Sequence, residues 1–196
     1  MTLELPKIYL LDISMSLVNA WNDAFEDEPN VIAVHDDFVR FMGRHPEVDC
    51  VVSPANSYGI MDGAYDYAIT KYFGKELMRA VQGRIRDVWF GEQPVGTSIS
   101  VKHKGITLIH TPTMRVPSTI VDPMVVYHSM RSTLIEALRD DVRAMVVPAF
   151  GAGCGKLPFD VVATLMAAAY RQVANPPASI NWEYANSRPL PDNERY

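Results

Sequence analysis

Short apolar, β-rich runs alternate along this chain with longer amphipathic ones, and few folds accept that rhythm. "IYLLDI" (8–13), "VIAVH" (31–35), "DCVVSPAN" (49–56) and "AMVVPAF" (144–150) read as strands. Between them, "SLVNAWNDAF" (16–25) sets Leu17, Ala20, Trp21, Ala24 and Phe25 on one helical face, with Ser14 or Ser16 as N-cap. "DDFVRFMGR" reads as a short helix capped by Asp36 or Asp37. Residues 65–88 read as helix with a break at Gly74, and 123–140 and 159–173 as further helices. "TSISVK" (97–102) and "ITLIHTP" (106–112), joined at "HKG", form a hairpin. Strand–helix alternation with one hairpin defines an α/β fold: a three-layer α/β/α sandwich around a mixed central sheet. Residues 1–175 make one domain. The segment 176–196, rich in Pro, Asn and charge, is expected to be an extended tail.

Composition narrows the chemistry. The formal charge of −5 argues against a broad nucleic-acid face, and the arginines of "RAVQGRIRDVWF" read as the solvated side of a helix. Two cysteines, Cys50 and Cys154, make neither a disulfide framework nor zinc spacing. Five scattered histidines offer no ligand pair, so no metal and no cofactor are expected. "MTLELPKIYLLD" lacks the form of a signal peptide, and no apolar run matches a membrane span, which points to a cytoplasmic chain.

Ligands of open α/β sheets bind beyond the carboxyl ends of the strands. Two glycine-containing loops leave strands there. In "VVPAFGAGCGKLP", Gly151, Gly153 and Gly155 alternate with Ala152 and Cys154 ahead of a helix starting near Phe159. Such a run forms either a plain tight turn or an anion-binding nest of backbone N–H groups, reinforced by the helix dipole. It is no Walker loop, since only three residues separate Gly151 from Gly155 and Leu157 follows Lys156. It is no dinucleotide fingerprint either, because Lys156 breaks the spacing and no further βαβ unit follows. Cys154 reads as apolar lining.

The second loop is "VVSPANSYGIMDGAYDYAI" (51–69). Asn56 at the strand end is either a turn residue or an amide that bonds a ligand hydroxyl. Asp66 is either a first-turn acid that satisfies the helix dipole or a carboxylate that positions a water.

Taken together the two loops resemble the macro domain, the family that binds ADP-ribose. Its first motif, roughly N-A-A-N-S-x-L-x-G-G-G-G-V-D-G-A-I, is similar to "SPANSYGIMDGAYDYAI", with the motif's last Asn on Asn56 and its Asp on Asp66. Its second, roughly P-A-[IL]-[SG]-[TA]-G-x-[FY]-G-x-P, is similar to "PAFGAGCGKLP". "TLIHTP" resembles the strand Y-V-I-H-T-V, and "VIAVHDDF" the strand that ends in G-D-[IF]. The resemblance implies a small-molecule partner, ADP-ribose or a derivative. Asp37 would accept from the adenine amine with Phe38 beside it. The backbone of Gly63, Ala64 and Tyr65, and of Gly151, Ala152, Gly153, Cys154 and Gly155, would hold the pyrophosphate. Asn56 and Asp66 would serve the distal ribose and, in hydrolytic members, the water.

The chain departs from the pattern in its first loop. Met61–Asp62–Gly63–Ala64–Tyr65 stands where the family has a run of glycines, and Tyr67 replaces the Gly after the Asp. Two functional readings follow. One is an ADP-ribose binder that also hydrolyses ADP-ribose 1″-phosphate, O-acetyl-ADP-ribose or an ADP-ribosyl ester. The alternative is a non-catalytic binding module, favoured by the added tyrosines.

Overall fold

In the computed structural model, which describes residues 5–187, β1 (Lys7–Asp12) shows how the sheet divides its side chains. Ile8 and Leu10 point to one face and Tyr9 and Leu11 to the other, as a strand period of two requires. On the first face they meet α1 (Met15–Ala24), α5 (Met124–Arg139) and α6 (Phe159–Ala174), whose Trp21, Met130, Leu134 and Met166 are fully buried. On the second they meet α2 (Phe38–Arg44), α3 (Ala64–Phe73) and α4 (Lys75–Trp89), through Phe41, Ile69, Leu77 and Val81. The result is an α/β/α sandwich.

The remaining strands are β2 (Val31–His35), β3 (Cys50–Ser53), β4 (Ile99–His103), β5 (Ile106–His110) and β6 (Ala144–Val147). Their spatial order is β2-β1-β6-β3-β5-β4. All neighbours are parallel except β4 and β5, the expected hairpin, where Lys104 and Gly105 both take positive φ. Gly74 breaks the long helical segment as expected. Its φ of 95° ends α3 and turns the chain into α4.

Two local expectations change. Ser14 occupies the N-cap of α1, but its side chain makes no cap bond. The Asp12 carboxylate instead accepts from the Ser14 amide at 2.8 Å. The tail is not wholly extended, since α7 (Trp182–Ser187) forms where Asn181 Oδ1 accepts from the Tyr184 amide at 2.8 Å. Tyr184 Oη in turn accepts from Gln172 on α6. Residues 188–196 of the expected tail lie outside the described residues.

Candidate functional site

The parallel strands β1, β6, β3 and β5 lie side by side and end at Asp12, Val147, Ser53 and His110. Both glycine loops therefore leave adjacent strands at one edge, the loop 54–63 from β3 and the loop 148–158 from β6. This is the edge at which an open α/β sheet offers a crevice.

Asp66 lies in the first turn of α3, and its carboxylate accepts a 2.7 Å hydrogen bond from Ser53 Oγ at the end of β3. The residue is half-buried, and its carboxyl lies on the desolvated side. Burial pushes its pKa up to about 7. The Ser53 hydroxyl pulls the other way, and the Asp62 charge adds a smaller upward push. Beside it, Tyr65 Oη is buried with no hydrogen-bond partner among the described residues. Burial raises that phenol well above its ordinary value, and the charges of Asp66 and Asp12 raise it further. The carboxyl of Asp12 is also raised by burial, although the Ser14 and Ile13 amides partly offset this. Ser53 and Asp12 carried no sequence signal. Only the adjacency of β1, β6 and β3 brings them to this edge.

The amide of Asn56 is committed to its own loop. Its Oδ1 accepts from the amides of Tyr58 (3.1 Å) and Ile60 (3.3 Å), and its Nδ2 donates to the Ile60 carbonyl (2.8 Å). One N–H of the amide is left over. Gly63, Ala64 and Tyr65 enter α3, which has no side-chain cap, so its first-turn amides lack intrahelical partners. Ala64 sits at φ 47°, a left-handed conformation that favours glycine. His110 is fully buried, with Nδ1 2.7 Å from Gln93 Oε1, and burial drives its pKa down to about 3. It is a neutral structural group.

In the second loop, Gly151 takes φ 80°, and Gly155 is packed so closely that a Cβ there would lie 2.4 Å from the Gly151 carbonyl oxygen. The amides of Gly151, Ala152, Gly153, Cys154 and Gly155 donate to no acceptor among the described residues. Cys154 is exposed and lines no apolar wall, contrary to expectation, because the buried glycines on this loop turn residues 153 and 154 outward. Asp37 caps α2 by accepting from the Arg40 amide at 3.0 Å, and it pairs with the Arg40 guanidinium. Its side chain stays 40% exposed, so the carboxylate remains within reach of a ligand. Phe38 belongs to the core, its ring edge-on to Tyr65 at 5.3 Å.

The segment 111–123 joins the two loops. Met114 pairs with Asn56, and the Ser57 amide donates to the Met114 carbonyl. Farther along, the Ile120 amide donates to the Gly155 carbonyl at 3.0 Å, and the Ile120 side chain covers Gly151 and Gly155. A cavity of about 370 Å³ lies along this segment and not between the two glycine loops. Among the described residues no cluster of His, Cys, Asp or Glu can hold a metal ion, and no helix is long and apolar enough to cross a membrane.

Comparison with known proteins assigns this architecture to a family. The Macro domain profile matches residues 52–166, which span both glycine loops, and the chain belongs to the macro domain family. It is 30% identical over 120 residues to an uncharacterized protein of Aquifex aeolicus (strain VF5), covering 61% of this chain and 71% of that one. Its fold is similar to the Oceanobacillus iheyensis macrodomain with ADP, with a TM-score of 0.57 at 20% identity over 65% of this chain and 70% of that one. It is also similar to the macrodomain of Mycobacterium tuberculosis DarG, with a TM-score of 0.55 at 17% identity over 65% and 84%.

Proposed function

We propose that this protein binds ADP-ribose or a derivative at the strand-end edge and hydrolyses a bond at its distal ribose. The observation that carries the reading is the row of unengaged amides from Gly151 to Gly155, next to the uncapped start of α3 on the neighbouring strand's loop. Backbone donors of this kind hold a diphosphate without lysine or arginine, which suits an acidic chain. Family membership supports the same ligand, and the similar Oceanobacillus macrodomain is one with ADP.

In this reading the loop amides of 151–155 and of Gly63, Ala64 and Tyr65 hold the pyrophosphate. Asp37, whose two oxygens face Arg40 but whose side chain is 40% exposed, accepts from the adenine amine, and Phe38 supports that end from the core. Asn56 shapes the distal-ribose side and offers its one spare N–H. Asp66, near half-protonation at neutral pH, can take a proton from an attacking water or return one to a leaving oxygen. Negative charge developing at the reacting centre falls to the loop amides. The free thiols of Cys50 and Cys154 fit a reducing, cytoplasmic setting.

A second reading, binding without turnover, draws on Asn56. Its amide is largely used by its own loop, and Tyr67 stands where the family keeps a glycine, with Tyr65 in place of the motif's Val. Calorimetry with ADP-ribose, followed by product analysis on ADP-ribose 1″-phosphate and O-acetyl-ADP-ribose, separates the two. Saturable binding with product release supports hydrolysis, and saturable binding with intact ligand supports the module. An absence of binding at millimolar ADP-ribose overturns both.

A further inference from the structure

The cavity along segment 111–123 lies outside the roles assigned above, yet its walls belong to the residues that buttress both glycine loops. Met114 pairs with Asn56, and Ile120 covers Gly151 and Gly155. A ligand whose distal ribose lies by Asn56 therefore has this cavity as a neighbour, across Met114.

We infer that the cavity is a second subsite, which takes an aliphatic acyl group carried on the distal ribose and longer than acetyl. This rests on the ADP-ribose reading of the neighbouring loops. Size is the first argument. About 370 Å³ of open groove is within the range of small-molecule sites and leaves room beyond a two-carbon group. The character of the walls is the second. Val95, Ile120, Val121 and Val125 give aliphatic contact, and His128 is the one ring in the lining, with no Phe, Tyr or Trp on which a flat base would stack.

Charge is the third argument. Arg115 is the only Lys or Arg in the lining, and it is engaged by Glu92 through Nε at 2.8 Å and Nη2 at 3.2 Å. Tyr58 Oη donates to the same carboxylate at 2.8 Å. Asp122 adds a negative charge at the rim, so a phosphate monoester finds no free Lys or Arg there. The fourth argument is an unmet hydrogen bond. Thr113, in the wall, is 3% exposed, and its Oγ1 has no partner among the described residues. An unmade buried hydrogen bond is costly, and an ester carbonyl would supply the acceptor after a turn of that side chain.

The test uses the full chain and three probes: ADP-ribose, and its distal-ribose acetamide and butanamide analogues, which do not hydrolyse. Affinities are measured by calorimetry for wild type, Val125→Phe and Val121→Trp. Val125→Phe fills the cavity from α5. Val121 is 95% exposed, so Val121→Trp closes the rim without touching the core. Wild type is expected to bind the butanamide at least tenfold tighter than ADP-ribose, with the acetamide between them. Both variants should lose that preference while keeping ADP-ribose affinity within twofold. ADP-ribose binding with no gain for the butanamide overturns the inference and leaves the ADP-ribose reading standing. A gain that survives both variants also overturns it, because the acyl group then lies elsewhere. If ADP-ribose does not bind wild type, the reading of the loops fails and the subsite falls with it.

Discussion

Replacing Asp66 by Asn should make this protein more stable at pH 8 and leave it nearly unchanged at pH 4. Asp66 has a folded-state pKa of about 7 against an ordinary value of 3.8. Well below pH 3.8 both folded and unfolded chains hold the proton, and there is no effect. As pH rises, the unfolded chain releases its proton first while the folded chain retains it. The unfolded state then binds fewer protons, and stability falls with pH through the window from about 4 to about 7. A gap of about three pH units corresponds to about 4 kcal/mol at 1.36 kcal/mol per unit. Because the residue is half-buried, water discounts this to roughly 2–4 kcal/mol. Asn matches the shape, keeps an oxygen for the Ser53 hydroxyl, and carries no charge. Urea unfolding of wild type and Asp66→Asn at pH 4, 6 and 8 measures the difference. The variant should gain roughly 2–4 kcal/mol at pH 8, less at pH 6 and no more than about 0.5 kcal/mol at pH 4, with equal m-values. Equal stability at pH 8, or a less stable variant, would refute the reasoning, since the carboxylate would then be well solvated or better paired than the geometry allows. A confirmed gain would mark Asp66 as a group kept at the expense of stability, as expected of a functional carboxylate.

Other outcomes follow from single positions. Ala64→Gly removes the strain of a left-handed alanine (φ 47°) and adds unfolded-state entropy, for a net gain of about 0.5–1 kcal/mol, readable as a rise in Tm of a few degrees. Gly155→Ala places a Cβ 2.4 Å from the Gly151 carbonyl oxygen and 2.6 Å from Ile120 Cδ1, and should cost more than about 2 kcal/mol in urea unfolding, because a backbone atom cannot move aside cheaply. A thiol reagent should titrate one cysteine per native chain, the exposed Cys154. The second, Cys50, fully buried and with its thiol pKa raised by burial, should react only after denaturation.

Local chemistry wrote much of the fold into the sequence. Gly74 announced the α3–α4 break because a φ of 95° is open to glycine, and Asp37 announced α2 because a short acid before "FVRF" caps its amides. The hairpin at Lys104–Gly105 was legible for the same reason. The two glycine loops were legible as a pair, since each follows a buried strand and precedes a helix. The insertion of β6 between β1 and β3 left no local mark, because a strand buried on both faces looks alike wherever it lies in the sheet. For that reason the Ser53 hydroxyl on Asp66, the Asp12 carboxyl near Tyr65, and Ile120 over the glycine loop are features of the folded structure alone. Asn56 admits two roles on sequence alone, and its bonds to Tyr58 and Ile60 show the turn role.

Calorimetric titration of wild type with ADP-ribose, with Asp37→Ala beside it, tests the central claim most directly. The account predicts saturable, micromolar binding by wild type and at least a tenfold loss in Asp37→Ala, whose fold should survive the loss of one helix cap worth about 1 kcal/mol. No heat and no thermal shift at millimolar ADP-ribose would contradict it.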